Sequence, residues 1–405
     1  MSSKRLETVK LTARFRLDGE VDESLFETYR SIVNELLGYA HSKGITSFKR
    51  LKSEKYYELR QKYPKLPSHY VYTACQMACS IYKSFRKLRR KGKVKTDKPL
   101  LKKYVIMLDD HLFNLDLENW IVRISTPNGR LKFKLLHGKY HEKFKDWKVG
   151  QAWLVKKVDG IYLNVVFSKN VKIKDCVDVI GVDVNENNIT IATNQGFMMF
   201  KTREKVIRIA YFLKRRKIQT KIRCRRVKTK VLAKYRDRER NRVLDIYHKV
   251  ANIIVKVALK TNSAIALENL KEIRKRINYS KELNGRLHRW SFRKFQQILE
   301  YKAKLNGIEV IYVNPHKTSS PICGRKLSPN GQRLLKCECG LIADRDVVGS
   351  WNIRLRGSKS LKIDVGSPVP LESPSMNPET GRPSATHASK VMKAAESQNG
   401  FAENL

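Results

Sequence analysis

Four acids stand where acids are expensive to keep. Asp183 sits inside the apolar run "VIGVDV", and Glu268 follows "AIAL". Asp344 and Asp346 flank Arg345 in "CGLIADRDVVGSWNI", just after a cysteine cluster and at the start of a helical pattern. A carboxylate in an apolar strand costs free energy unless it is paired, hydrogen-bonded or metal-bound. Any one of these acids could be a helix cap or half of an ion pair. Three such acids in a strongly basic chain point instead to a shared magnesium site, because carboxylate oxygens suit a hard cation. Two magnesium ions held in this way activate water and stabilise the leaving oxygen in phosphodiester hydrolysis. Asp183, Glu268 and Asp346 are about 80 residues apart in sequence, so only the fold can bring them together.

The elements that must position them read as follows. Residues 4–17 alternate as a strand. From Asp22, a candidate N-cap, a helical pattern runs to Gly44. "SEKYYELRQKY" is a second helix. "SHYVYTACQMACSIYKSFRKLRR" is a third, with Cys75 and Cys79 four apart on one face, as packed thiols would be. Tyr70, Tyr72, Tyr82 and Phe85 on that helix suit core packing or base stacking. From about 100 to 170 the pattern becomes β, with hairpin signals at Asn128-Gly129 and Asp159-Gly160. From Val179 it becomes strand, strand, a long basic helical region at about 203–260, strand "AIALENL", helix "SFRKFQQILEYKAKLNG", strand "IEVIYV". That order is α/β. Beyond Gly357 the chain turns neutral and carries five of the twelve prolines, the composition of a disordered tail.

The charge balance narrows the partner. Lys+Arg number 84 against 38 Asp+Glu, a net +46, and the tail from 358 holds five of each sign. A compact chain carrying that excess needs a polyanion, and nucleic acid is the expected one. The basic runs at 86–95 and 214–230 are its candidate contacts. No apolar run of about 18 residues suggests a membrane span, and the N-terminus lacks a signal-like apolar region. Seven cysteines without a disulfide-like pattern fit a reducing, cytoplasmic location. Cys176 and Cys224 are isolated and carry no assignment.

"GVDVNENNITIATNQG", "IALENL", "YKAKLNGIEVIYVNPHKTS" and "CECGLIADRDVVGSWNI" together resemble the transposon-encoded TnpB (OrfB) family of RNA-guided DNA endonucleases, relatives of CRISPR type V effectors. The resemblance spans about 1–357 and is most specific in 179–357. It implies a multidomain α/β architecture: an RNase H-like RuvC nuclease domain, a β-barrel wedge domain with an inserted helical recognition domain, and a zinc-ribbon-like insertion. The corresponding boundaries are 1–17 and 96–176 for the wedge, 18–95 for the helical domain, 177–315 and 343–357 for the nuclease, 316–342 for the insertion and 358–405 for the tail.

By position, Asp183, Glu268 and Asp346 match the three catalytic acids, holding Mg2+, with Asp344 left as a helix N-cap. Val348 departs from the family pattern, which carries Asn there, and Gly349-Ser350 replace its small pair. Relatives usually show CxxC…CxxC, a closed zinc site. Here Ser320 stands at the first position, leaving Cys323, Cys337 and Cys339, with His316 as a candidate fourth ligand for Zn2+. A metal-free loop remains the alternative. The implied function is an RNA-guided DNA endonuclease. It would take guide RNA from the transposon end, work as a monomer with that RNA, and cut double-stranded target DNA beside a short flanking motif. A non-cleaving RNA-guided repressor, a minimal CRISPR type V effector and a transposase are the rival readings.

Overall fold

The computed structural model describes residues 5–365, apart from 95, 236, 271–277, 317, 319–326, 330–333 and 338–341, and only the backbone of 327–329, 334–337 and 342. Contacts divide the chain into two compact units, Thr8–Asn170 and Val171–Leu405 with Met1–Glu7.

The first unit begins within β1 (Leu6–Asp18). Ala13, Phe15 and Leu17 are buried and alternate with exposed Arg14, Arg16 and Asp18, the period-two pattern of a strand with one covered face. Three helices follow: α1 (Glu23–Ser42), α2 (Phe48–Lys62) and α3 (Ser68–Arg90). Asp22 caps α1, its carboxylate accepting the Ser24 N–H at 2.9 Å. Residues Leu25, Tyr29, Ile32, Val33, Leu36 and Ala40 bury one helical face.

On α3, Tyr70, Tyr82, Phe85, Cys75 and Cys79 are all buried, so the base-stacking option is closed for these three aromatics. Burial pushes the Cys75 thiol up to about 12, as expected of an inert packed cysteine. Tyr72 is half-buried, edge-on to Phe48 at 5.0 Å.

The chain then forms β2 (Val105–Leu108), β3 (Phe113–Asp116), β4 (Ile121–Thr126), β5 (Gly129–Leu136), β6 (Lys148–Lys157) and β7 (Gly160–Lys172). They make one seven-stranded sheet with β1, in the order β2-β6-β7-β1-β5-β4-β3. Both expected hairpins form, but each glycine opens the second strand instead of sitting inside the turn. Thr126 pairs with Gly129 and Lys157 with Gly160, leaving Pro127-Asn128 and Val158-Asp159 as the loops. Gly129 (φ 101°) and Gly160 (φ 138°) hold a backbone that L side chains rarely adopt.

The second unit contains β8 (Asp178–Val184), β9 (Asn188–Thr193), β10 (Gly196–Lys201), α4 (Glu204–Lys221), α5 (Arg225–Tyr235), α6 (Arg238–Lys260), β11 (Ser263–Glu268), α7 (Lys281–Arg289), α8 (Phe292–Leu305) and β12 (Val310–Val313). Then come β13 (Leu327–Pro329), β14 (Leu334–Cys337) and β15 (Ile342–Asp344), a small three-stranded sheet, and the helix α9 (Arg345–Leu361). The strand β10 and helix α7 go beyond the sequence reading, and the single basic helical region at 203–260 is three helices. The helix α5 buries none of its residues, so its cations are solvated. The helix α9 continues through Gly357 to Leu361, so the first residues of the expected tail are helical; 366–405 lie outside the described residues.

The five-stranded sheet has the order β10-β9-β8-β11-β12. The strand β9 runs antiparallel to both β10 and β8, whereas β11 runs parallel to both β8 and β12. Its two faces differ in kind. Ile180, Val182, Ile265 and Leu267 point into a large core with Val250 and Ile254 of α6 and Phe295, Ile298 and Leu299 of α8. Val179, Ala264 and Ala266 point to the opposite face and pack with Ile353 of α9. Small residues there let the helix lie close. A Cβ on Gly181 would fall 2.1 Å from the Ser350 carbonyl oxygen, and one on Gly357 2.7 Å from Ala266 Cβ. Arg354 of α9 is buried between them, bonding Asp178 at 2.6 Å and the Val179 carbonyl at 2.9 Å. No helix among the described residues is long and apolar enough to cross a membrane.

Candidate active site

Strand alternation decides where the acids point. Val179 and Gly181 face α9, so Asp183, two residues on, faces it too. Ala264 and Ala266 place Glu268 on the same face of β11. The strands β8 and β11 are parallel, with Gly181 opposite Ala266 and Val182 opposite Leu267. One step further sets Asp183 beside Glu268, at the carboxyl ends of neighbouring strands about 4.8 Å apart. Ligand sites of open α/β sheets form at such strand ends.

The third acid arrives on the helix. Asp344 is the N-cap of α9: its carboxylate accepts the Asp346 N–H at 2.8 Å. Asp346 occupies the first helical turn, where the helix dipole favours negative charge, and is 8% exposed. Gly349, one turn along, lies against Asp183: a Cβ there would stand 3.0 Å from Asp183 Oδ2. So Gly349 in the motif's small pair gives room to the first acid. Val348 is buried at 2% exposure and brings no polar group to the site.

Neutral side chains hold the carboxylates. The Asn185 amide donates to Asp183 at 2.8 Å and the Asn188 amide to Asp346 at 2.7 Å. The Thr318 hydroxyl donates to Glu268 at 2.5 Å. Gln296 donates to the Glu268 carbonyl at 2.8 Å. The Thr318 segment is itself clamped by α9: Asn352 donates to the Thr318 carbonyl at 2.6 Å, and Arg356 to the carbonyls of Asn314 and His316 at 2.7 Å each. The sequence reading missed Asn188, Thr318 and Gln296. The Asn-rich turn "NENN" directly after an acid-bearing strand was the available signal for the first.

Burial pushes the Asp183 carboxyl up to about 7; the nearby charge of Glu268 adds to this and Asp346 adds less, while the Asn185 hydrogen bond and the Arg345 charge oppose it. Glu268 is also raised by burial, against the Thr318 hydrogen bond and the charge of Arg356. Carboxylates that are desolvated and mutually repulsive take up either protons or a cation. The three acids offer oxygen donors, which suit a hard divalent cation.

The second expected metal site is not assembled among the described residues. Cys323 and Cys339 lie outside them, as does the side chain of Cys337, whose backbone belongs to β14. His316 is exposed, and its backbone carbonyl, not its ring, is what α9 grips.

Among known proteins, a TnpB-like protein of Methanocaldococcus jannaschii, MJ0751, is 40% identical over 260 residues, 60% of this chain and 91% of that protein. The chain belongs to the TnpB-like family. Members of this family are related to type V CRISPR effectors. Residues 292–353 match the Cas12f1-like TNB domain, and 25–125 match the uncharacterized MJ0013 family. The CRISPR-associated endodeoxyribonuclease Cas12f2 of a Micrarchaeota archaeon is 25% identical over 57% of this chain and 49% of its own length. A solved mini-RNA-guided endonuclease, CRISPR-Cas_phi3, aligns over 90% of this chain and 93% of its own, with 10% identity and a TM-score of 0.47. A Cas12f1–sgRNA–target DNA complex aligns over 85% and 99%, with 17% identity and a TM-score of 0.32.

Proposed function

We propose that this TnpB-like chain is an RNA-guided DNA endonuclease of an insertion-sequence transposon. Its RNase H-like RuvC site would hydrolyse target DNA next to a short flanking motif. The observation that carries the reading is the convergence of Asp183, Glu268 and Asp346 from β8, β11 and α9, with the Asn185 and Asn188 amides and the Thr318 hydroxyl bonded to their carboxylates. Two bound magnesium ions would supply Lewis acidity for the attacking water and the leaving oxygen. The protein's part is placement. Asp183 and Asp346 would hold the ions, with Glu268 completing the set, and Thr318, Asn185 and Asn188 would keep the oxygens aimed while the close α9–sheet contact sets their spacing.

Sequence choice would lie in guide–target pairing, with the exposed cations of α4 and α5 neutralising phosphate. In this reading 177–315 and 343–357 form the nuclease domain, and 1–17, 18–95 and 96–176 the wedge and helical recognition domains. The test is to purify the chain from its native locus, sequence the RNA that accompanies it, and supply matching DNA. A discrete RNA with a variable end and magnesium-dependent cuts are expected. Random cellular RNA without cleavage would overturn the reading.

A further inference from the structure

Away from the carboxylate site, His69, Asp109 and His111 bring three ligand atoms within 4.8 Å of one another. His69 lies in the first turn of α3, and Asp109 and His111 in the turn between β2 and β3. All three belong to the Thr8–Asn170 unit.

Asp109 divides its work. Its Oδ1 accepts the backbone N–H groups of His111 and Leu112, both at 3.2 Å, which fixes the turn. Its Oδ2 lies 2.7 Å from His69 Nδ1. The two imidazoles stack face to face, centroids 3.9 Å apart and 13° from parallel. A neutral imidazole keeps one ring nitrogen lone pair that an ion can take. Asp110 Oδ1, at 3.1 Å from His111 Nδ1, can hold that N–H and leave Nε2 as the free donor, the usual outer-sphere role of a carboxylate behind a metal-bound histidine. The His111 side chain is 63% exposed, so its ring is free to splay toward an ion.

We propose that His69, Asp109 and His111 form a binding site for a borderline divalent ion of the zinc class. Two imidazoles and one carboxylate with open positions suit Zn2+ or Co2+ and disfavour Mg2+, the reverse of the all-oxygen site. The ion replaces the proton between Asp109 and His69 and ties the first turn of α3 to the β2–β3 turn. It reinforces the bond from the Tyr70 hydroxyl to the Ser125 carbonyl at 2.6 Å, which joins the same helix to β4.

The experiment uses the full chain, stripped with chelator and then given Zn2+ alone, with bound zinc counted per chain. The wild type should hold one more ion than His111→Ala and one more than His111→Gln, and zinc should raise the Tm of the wild type by more than that of either variant. Ions at the carboxylates or cysteines cancel in this difference. Co2+ should give the wild type an additional visible d–d band without thiolate charge transfer. Equal zinc counts in wild type and both variants would overturn the proposal, and His111 is exposed enough that neither variant should misfold.

Discussion

The carboxylate site and the His69–Asp109–His111 cluster are built on opposite plans. The first draws its acids from two parallel strands and a helix, uses oxygen alone, and depends on a helix packed against glycine. The second joins one helical turn to one tight turn, mixes nitrogen with oxygen, and leaves a ring in solvent. A site assembled from distant elements is sensitive to packing far from its ligands. A site made of two adjoining turns is not.

The largest effect should come from Asp183→Ala. Cleavage should fall at least ~10³-fold, as when a site loses a group on which the others depend, with RNA binding unchanged. Retained cleavage would remove Asp183 from the site. Next comes Gly181→Val, which touches no ligand. Its Cβ would overlap the Ser350 carbonyl oxygen and the Arg354 backbone nitrogen, at 2.1 and 2.4 Å. Backbone atoms cannot yield cheaply, so a loss of more than ~3 kcal/mol in denaturant unfolding is expected. Unchanged unfolding would show that α9 is not held where the contact implies.

Thr318→Val keeps the volume and removes the hydroxyl from Glu268. Cleavage should drop by roughly 10–100-fold, the range for losing a partner behind a metal ligand, with Tm nearly constant and Thr318→Ser restoring activity. Equal rates for the Val and Ser variants would reduce Thr318 to packing.

The smallest effect concerns pH. Asp183 is pushed up to about 7 in the folded chain, from 3.8. The folded protein therefore holds a proton that the unfolded chain releases, and metal-free stability should decline as pH rises from about 4 to about 7, then level off. Asp183→Asn should flatten that slope and, in chelator at pH 8, raise stability by roughly 1–2 kcal/mol, a figure discounted for partial exposure. A parallel slope in the Asn variant would assign the titration elsewhere.

The sequence made some of this visible and hid the rest for physical reasons. An acid inside "VIGVDV" stands out because apolar neighbours make it anomalous, and Asp344 stands out because capping is local. Asn188 and Thr318 are ordinary polar residues whose role exists only once β9 and the 314–318 segment reach the acids. The break of 203–260 into α4, α5 and α6 was hidden by continuous helical, basic composition. The strand β10 was hidden because "GFMMFK" lacks the alternation that marks a half-covered strand. His69 and the Asp109–His111 turn are 40 residues apart and share no motif.

The grip of α9 on the chain at 314–318 has a consequence for how this protein can change. Asn352 and Arg356 fasten the entry to the cysteine-bearing stretch, while β15 and the Asp344 cap fasten its exit. Both tether points belong to the same helix that carries Asp346. Glu268, through Thr318, and Asp346 are thus both tied to α9. The demands of the carboxylate site therefore fall on these two flanks, and Ser320, where the family pattern carries a cysteine, lies outside both of them.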